Sequence, residues 1–271
     1  MTDGGRLAGR VALVTGGGRG LGRAIAERYG REGARVAIAE IDGELARETA
    51  AALGESGLGI QCDVADAADV ERAFDACLER FGRLDILVNN AAVVGPAVKH
   101  FLEIDEATWD LVVDVNLKGH FLCTSRAARQ MVEQGAGVII NTSSGGASRA
   151  HRGMVAYDAA KGGVEAFTRA VALDLAPYGV RCMCIVPGLM ETSDTGPAAE
   201  ERARATAQTV PLGRQGTGAD IAGAAVFLAG EDASYLTGSC VYVDGGVLGQ
   251  QRSPQVETFP LERYPRVGRL A

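Results

Sequence analysis

Arg10-Val11-Ala12-Leu13-Val14-Thr15, followed at once by Gly16-Gly17-Gly18-Arg19-Gly20-Leu21-Gly22, is the stretch that decides the fold. A short, continuous run of aliphatic and β-branched residues suits a strand covered on both faces. Beyond the glycines, apolar residues recur with helical spacing over 20–31. The segment therefore predicts strand, tight turn and helix in immediate succession. Glycines at 16, 20 and 22 permit the turn and let backbone N–H groups at a helix N-terminus approach a pyrophosphate. The spacing is not the commoner Gly-x-Gly-x-x-Gly, and glycine clusters also serve flexible loops; position between strand and helix is what points to a nucleotide.

Six further apolar runs follow, at 35–40, 58–63, 84–89, 138–142, 180–186 and 239–243, separated by helix-period stretches such as 44–53 and 66–80. Alternation of strand and helix implies right-handed crossovers. The predicted fold is α/β: a doubly wound, mostly parallel seven-stranded sheet with helices on both faces. No repeat and no linker divides the chain, so 1–271 reads as one domain. Two segments look irregular: a loop at about 188–208, and a tail, 247–271, in which Val256, Phe259, Leu261, Tyr264 and Val267 are spaced among prolines. That spacing reads as an extended arm laid over a surface, docked on a neighbouring subunit, with a frayed end as the alternative.

Composition excludes several classes. With 47% hydrophobic and 23% charged residues the chain is not of the disordered type. Lys and Arg number 27 against 34 Asp and Glu, a net charge of −7, and no long basic run argues for nucleic acid or an anionic membrane. No apolar stretch approaches the ~18 residues of a membrane-spanning helix. The first ten residues carry no apolar signal region, so a cytoplasmic location is expected. Six scattered cysteines form no Cys-x-x-Cys pair and read as reduced, buried thiols. Histidines 100, 120 and 151 lack metal-ligand spacing.

Acidic and amide residues close the early strands. Glu40, 18 residues past Gly22, can accept hydrogen bonds from adenosine ribose hydroxyls and would repel a 2′-phosphate. Asp42 competes for that role, and Arg19 in the glycine turn pulls toward the phosphate. NAD is the expected cofactor, with NADP possible. Asp63 closes the third run and Asn89-Asn90-Ala91-Ala92 the fourth, although such residues also satisfy turns.

Tyr157 and Lys161 are four apart at the start of a helical stretch, hence on one face. A phenol of pKa near ~10 is a poor base at neutral pH, and a neighbouring ammonium lowers it, so the pair suits alcohol–ketone interconversion. Ser144, or its neighbour Ser143, lies just past the run 138–142, where a hydroxyl could hold a substrate oxygen. Asn116 falls mid-helix, a place of poor propensity for Asn.

Together these pieces resemble the short-chain dehydrogenase/reductase family in its short single-domain branch. The resemblance rests on Thr15–Gly22, Asp63, Asn89–Ala92, Asn116, Ser144, Tyr157 with Lys161, Pro187-Gly188 with Thr192, and Val243-Asp244-Gly245-Gly246, and spans about residues 7 to 247. It implies that Tyr157 is the acid/base, Ser144 the partner of the substrate oxygen, and Lys161 the clamp on a ribose hydroxyl that also depresses the tyrosine. Asn116 would hold a water in the proton relay. Cofactor contacts would come from Gly16, Arg19, Gly20, Leu21, Gly22, Glu40, Asp63, Val64, Asn90, Ala91, Tyr157, Lys161, Pro187, Gly188 and Thr192. Ala92 and Ala160 depart from the family's usual Gly and Ser.

The resemblance implies an NAD(P)-dependent oxidoreductase joining a secondary alcohol to its ketone or lactone. The alternatives are a 3-oxoacyl, steroid or other ketone reductase, or an NAD sensor without catalysis. An enoyl reductase resembles the family with a wider gap between tyrosine and lysine. Loops 91–97, 145–154 and 188–197 should line the substrate pocket; Arg149, His151, Arg152 and Glu191 among aliphatics favour a sugar-, polyol- or cyclic-alcohol-like substrate. Apolar stripes on 116–131 and 157–176 would pair across two-fold axes in a homotetramer.

Overall fold

The computed structural model describes residues 5–191, 197–253, 256, 263 and 264. Seven strands form one sheet: β1 (Val11–Thr15), β2 (Arg35–Glu40), β3 (Gly57–Gln61), β4 (Ile86–Asn89), β5 (Gly137–Thr142), β6 (Val180–Pro187) and β7 (Cys240–Val243). Their order is β3-β2-β1-β4-β5-β6-β7, and every neighbouring pair is parallel. The doubly wound sheet expected from the apolar runs is present, within a residue or two at most ends.

The helices are α1 (Gly20–Arg31), α2 (Gly43–Ala52), α3 (Ala67–Phe81), α4 (Glu106–Val113), α5 (Gly119–Gln134), α6 (Val155–Leu175), α7 (Pro197–Ala207) and α8 (Gly218–Ala229). All five residues of β1 are buried. Ala12 and Val14 face a core with Ile25, Tyr29 and Ile221 from α1 and α8. Val11 and Leu13 face the opposite core, with Phe74 and Cys77 of α3 and Cys123 and Met131 of α5. Alternation across a pleat, with apolar residues at every position, is what requires helices on both sides. Among the described residues no helix is long and apolar enough to cross a membrane.

One expectation is corrected. The stretch 188–208 is not irregular throughout, because α7 occupies Pro197–Ala207. A proline in the first turn loses no hydrogen bond there, and the Ala, Glu and Arg that follow are good helix formers. The tail begins on its own subunit: Arg149 Nη1 donates to the Val247 carbonyl at 3.1 Å, and Gln250 Nε2 to that of Thr209 at 2.9 Å. Leu248 packs beside Val164 and Cys184. Apart from Val256, Arg263 and Tyr264, the arm beyond Ser253 lies outside the described residues.

The register of β1 on β4 is held at both ends. At the N-terminal edge the buried Asp85 carboxylate accepts from the Val11 N–H at 2.8 Å and from the Arg83 guanidinium at 2.6 and 2.9 Å. At the C-terminal edge Thr15 Oγ1 accepts from the N–H groups of Asn90 and Ala91, at 3.0 and 3.1 Å. Substituting Asp85→Ala strands a buried N–H, which costs about 1–3 kcal/mol. Urea unfolding should show a loss of that size, and Asp85→Asn, which keeps an acceptor, a smaller one; an unchanged midpoint for Asp85→Ala would contradict the clamp.

Candidate active site

A cavity of about 500 Å³ opens at the C-terminal edge of the sheet, beside the reversal of strand order between β1 and β4. Open parallel sheets bind ligands at this point, because helices leaving the two strands go to opposite faces. The turn after β1 forms one wall. Gly16 has φ +61°, and a Cβ there would lie 2.8 Å from the Ala91 Cα. Asn90 Nδ2 donates to the carbonyls of Thr15 and Gly16, both at 3.1 Å. Gly22 packs so closely beneath that any side chain would strike the Gly16 carbonyl.

The start of α1 differs from its neighbours. Helices α2, α3 and α4 are capped by the side chains of Asp42, Asp66 and Asp105. α1 has no side-chain cap and no acid in its first turn. Its leading N–H groups and the positive end of its dipole stand uncompensated at the glycine turn, as a phosphate site requires. At the end of β2, Asp42 caps α2, its Oδ1 accepting from the Glu44 and Leu45 N–H groups. Glu40 lines the cavity, but not as a solvated strand-end acid. It is 5% exposed, its Oε2 accepting from Gly18 N at 3.1 Å and its Oε1 from Ile41 N at 3.0 Å.

Arg19, Leu21, Asp63, Val64, Asn90, Ala91, Pro187 and Gly188, expected as cofactor contacts, also line the cavity. Gly20 and Gly22 shape the turn without lining it. Thr192 lies outside the described residues. Asp63 Oδ1 caps its own turn through Ala65 N at 2.9 Å.

Ser144, Tyr157 and Lys161 converge on the opposite wall. Ser144, just past β5, lies near enough to the Tyr157 phenol to pull its pKa down, and its Oγ accepts from Gly146 N at 3.2 Å. Ser143 is directed elsewhere: it is buried, and its hydroxyl donates to the Lys161 carbonyl and Glu165 Oε1 at 3.2 and 3.1 Å. Lys161 is 1% exposed, and its Nζ donates to the Thr142 carbonyl at 2.8 Å and stands 5.7 Å from the Tyr157 ring centre. Burial lowers its pKa to about 8.

Tyr157 departs from expectation. Its pKa is raised, first by burial, with Ser144 pulling it down and Asp158 pushing it up. The depression by lysine looked for in the sequence is absent from the protein alone, since Lys161 is itself desolvated and bonded to Thr142. Asn116 sits behind this wall in a single π turn, Asp114–Lys118, of the kind that often marks functional sites. Its Nδ2 donates to the carbonyls of Val93 and Val112, both at 2.9 Å, while its buried Oδ1 has no protein partner.

Sequence reasoning passed over the Thr142 carbonyl, the Thr15 hydroxyl, and the cavity wall of Leu111 and Val115, while Val93, Val94 and Met190 line the cavity from the loops expected to do so. A backbone acceptor leaves no mark in a sequence. The polar residues that suggested a sugar do not line the cavity: Arg149 binds the tail, and His151 Nδ1 pairs with Asp158 at 2.9 Å.

Comparison with known proteins follows the same lines. A family model described as enoyl-(acyl carrier protein) reductase matches residues 16–248. The chain is 40% identical over 246 residues to 2-(R)-hydroxypropyl-CoM dehydrogenase of Xanthobacter autotrophicus, covering 87% of this chain and 97% of that protein. It is 38% identical over 244 residues to a (2S)-[(R)-hydroxy(phenyl)methyl]succinyl-CoA dehydrogenase subunit of Thauera aromatica, covering 88% and 96%. Among solved structures, 3-ketoacyl-(acyl-carrier-protein) reductase of Brucella melitensis complexed with NADH superposes with a TM-score of 0.83 at 35% identity, over 89% of this chain and 99% of that one.

The depressed lysine has a measurable consequence. Below pH 8 both folded and unfolded chains carry the ammonium, and the fold bears the full cost of burying it. Between about 8 and the ordinary lysine value the unfolded chain holds a proton the folded one has lost, so stability rises with pH. Relative to Lys161→Met, the wild type should gain up to about 3 kcal/mol across this window, the free-energy equivalent of the shift. Urea unfolding of the cofactor-free proteins at pH 7 and pH 10 reads the difference, and a constant gap would contradict the burial argument.

Proposed function

The chain belongs to the short-chain dehydrogenase/reductase family and is an oxidoreductase of CH–OH and ketone groups; on that footing we propose that it interconverts a secondary alcohol and its ketone using NAD, with Tyr157 as acid/base. The observation that carries this reading is the junction of Ser144 with Tyr157 over a buried Lys161, in the one cavity that also holds the glycine turn. Bound NAD supplies the hydride acceptor, and its reduced form the donor. The chain's own groups manage the oxygen and its proton. Ser144 donates a hydrogen bond to the substrate oxygen. Tyr157 gives that oxygen a proton in reduction and takes one in oxidation. Burial keeps the phenol protonated, which suits the acid role; in oxidation nearby positive charge, including Lys161, must favour the phenolate. Asn116 holds a water for the relay through its unpaired Oδ1.

The uncapped start of α1, the Gly16–Gly22 cradle, Asp63, Asn90 and the segment from Pro187 to Thr192 would hold the dinucleotide. Glu40 supports NAD: its carboxylate already takes the Gly18 N–H that a 2′-phosphate would need, and adds a like charge. Arg19 is the opposing group. Even about 1 kcal/mol of repulsion is worth several-fold in kcat/KM.

For the substrate, the wall formed by Val93, Val94, Leu111, Val115 and Met190 supports an aliphatic body rather than a sugar. The alcohols named for the two relatives, a hydroxypropyl group on CoM and a hydroxy(phenyl)methyl group on succinyl-CoA, support an apolar alcohol carried on a thioether or thioester. The sugar or polyol reading rests on Arg149, His151, Arg152 and Glu191, outside that wall. Phe121 on α5 and Leu173 on α6 are exposed, 53% and 76%, which supports the homotetramer, and the buried free thiols support a reducing, cytoplasmic location.

Tyr157→Phe should lower turnover by about 10²–10⁴ while leaving the NAD dissociation constant nearly unchanged. Absorbance at 340 nm and calorimetry measure the two. Wild-type turnover in that variant would sink the acid/base assignment, and a clear NADP preference in kcat/KM would transfer control of cofactor choice from Glu40 to Arg19.

A further inference from the structure

Behind Lys161 lies a second titratable group that the mechanism above does not use. His120, on α5, is 2% exposed and four residues beyond Asn116, so both project from one face of the helix. Each carries a buried polar atom with no protein partner, Oδ1 of Asn116 and Nε2 of His120. The carbonyls of Thr142 and Asn89 face the imidazole, and the Thr142 carbonyl is the acceptor that holds Lys161 Nζ at 2.8 Å. Histidine and lysine thus lie about the same stretch of backbone.

Nε2 has no protein hydrogen bond, and in a neutral ring whose proton sits on Nδ1 it is a free acceptor. Buried polar atoms without partners are satisfied by ordered water, and two acceptors beside an ammonium are what a short water chain requires. We infer that His120 is a positioning residue of the proton relay, its Nε2 and the Asn116 Oδ1 together anchoring the water that exchanges a proton with Lys161 Nζ. This rests on the reading of Tyr157 and Lys161 given above and extends it by one group.

The ring stays neutral throughout. Its pKa is pushed well below the ordinary value, first by burial and then by the Lys161 charge; α6 brings that lysine, while β4 and β5 present only carbonyls. The water therefore accepts one proton from Lys161 and passes one outward, and His120 orders it without storing charge. Removing the acceptor makes the ammonium less favourable, weakens the positive field at Tyr157, and moves the rising limb of alcohol oxidation to higher pH.

The experiment compares wild type, His120→Leu, His120→Gln and Tyr157→Phe in kcat against pH, NAD affinity, and proton inventory in H₂O/D₂O mixtures. His120→Leu should lower kcat on the order of tenfold, less than the ~10²–10⁴ of losing the acid/base, with NAD affinity unchanged. Its rising limb should shift by about a unit, and His120→Gln, which keeps an acceptor, should recover most of both. The wild-type inventory should be bowed, as for several protons in flight. Two outcomes overturn the proposal: a linear wild-type inventory, which is read even if His120→Leu does not fold, or a Leu and a Gln variant with the same kcat and pH profile. If Tyr157→Phe itself retains turnover, the underlying reading fails instead.

Discussion

At the reversal point of the sheet, β1 and β4 must lie side by side while the helices that follow them depart to opposite faces. No helix covers that crevice, so the two strand ends have to be joined by the turn residues themselves. Thr15 and Asn90 do this, exchanging side-chain and backbone hydrogen bonds across the gap. The exchange works only if Gly16 turns with positive φ and Ala91 comes against it without a side chain between them. Once that junction is set, the uncapped start of α1 faces the cavity, and the ends of β4, β5 and β6 fall along its length.

The second constraint is the burial of an ammonium. A lysine 1% exposed is costly, and the fold accepts that cost with only a carbonyl opposite it. Among the described residues three buried side-chain polar atoms lack a protein partner, Asn89 Oδ1, Asn116 Oδ1 and His120 Nε2, and the imidazole of the last faces the lysine charge. A core built for stability alone would fill this space with aliphatic groups. Polarity retained behind one wall of a cavity, while the facing wall is aliphatic, separates proton handling from substrate packing.

Much of this could be read in the sequence. The aliphatic runs at 11–15, 35–40 and 180–186 specify strands covered on both faces, and Tyr157 and Lys161 had to share a helix face. What escaped were features set by tertiary context. Glu40 looks exposed at a strand end, yet its carboxylate folds back onto the Gly18 N–H. The tyrosine pKa depends on how far both members of the pair are desolvated, which spacing does not reveal. α7 was hidden because the glycines and prolines around it read as loop while its own Ala-, Glu- and Arg-rich core reads as helix. His120 carried no signal beyond its distance from Asn116; only burial and an unpaired nitrogen mark it.

The central claim is that hydride leaves a carbinol carbon held between Ser144 and Tyr157. It is tested most directly by supplying the enzyme with NAD and secondary alcohols deuterated at the carbinol carbon: 2-alkanols, 3-hydroxyacyl thioesters and polyols. The account predicts that deuterium from at least one aliphatic alcohol appears at C4 of the nicotinamide, with a primary isotope effect on turnover. NAD binding without deuterium transfer from any of these alcohols would contradict it, and would leave a protein that senses the dinucleotide rather than using it.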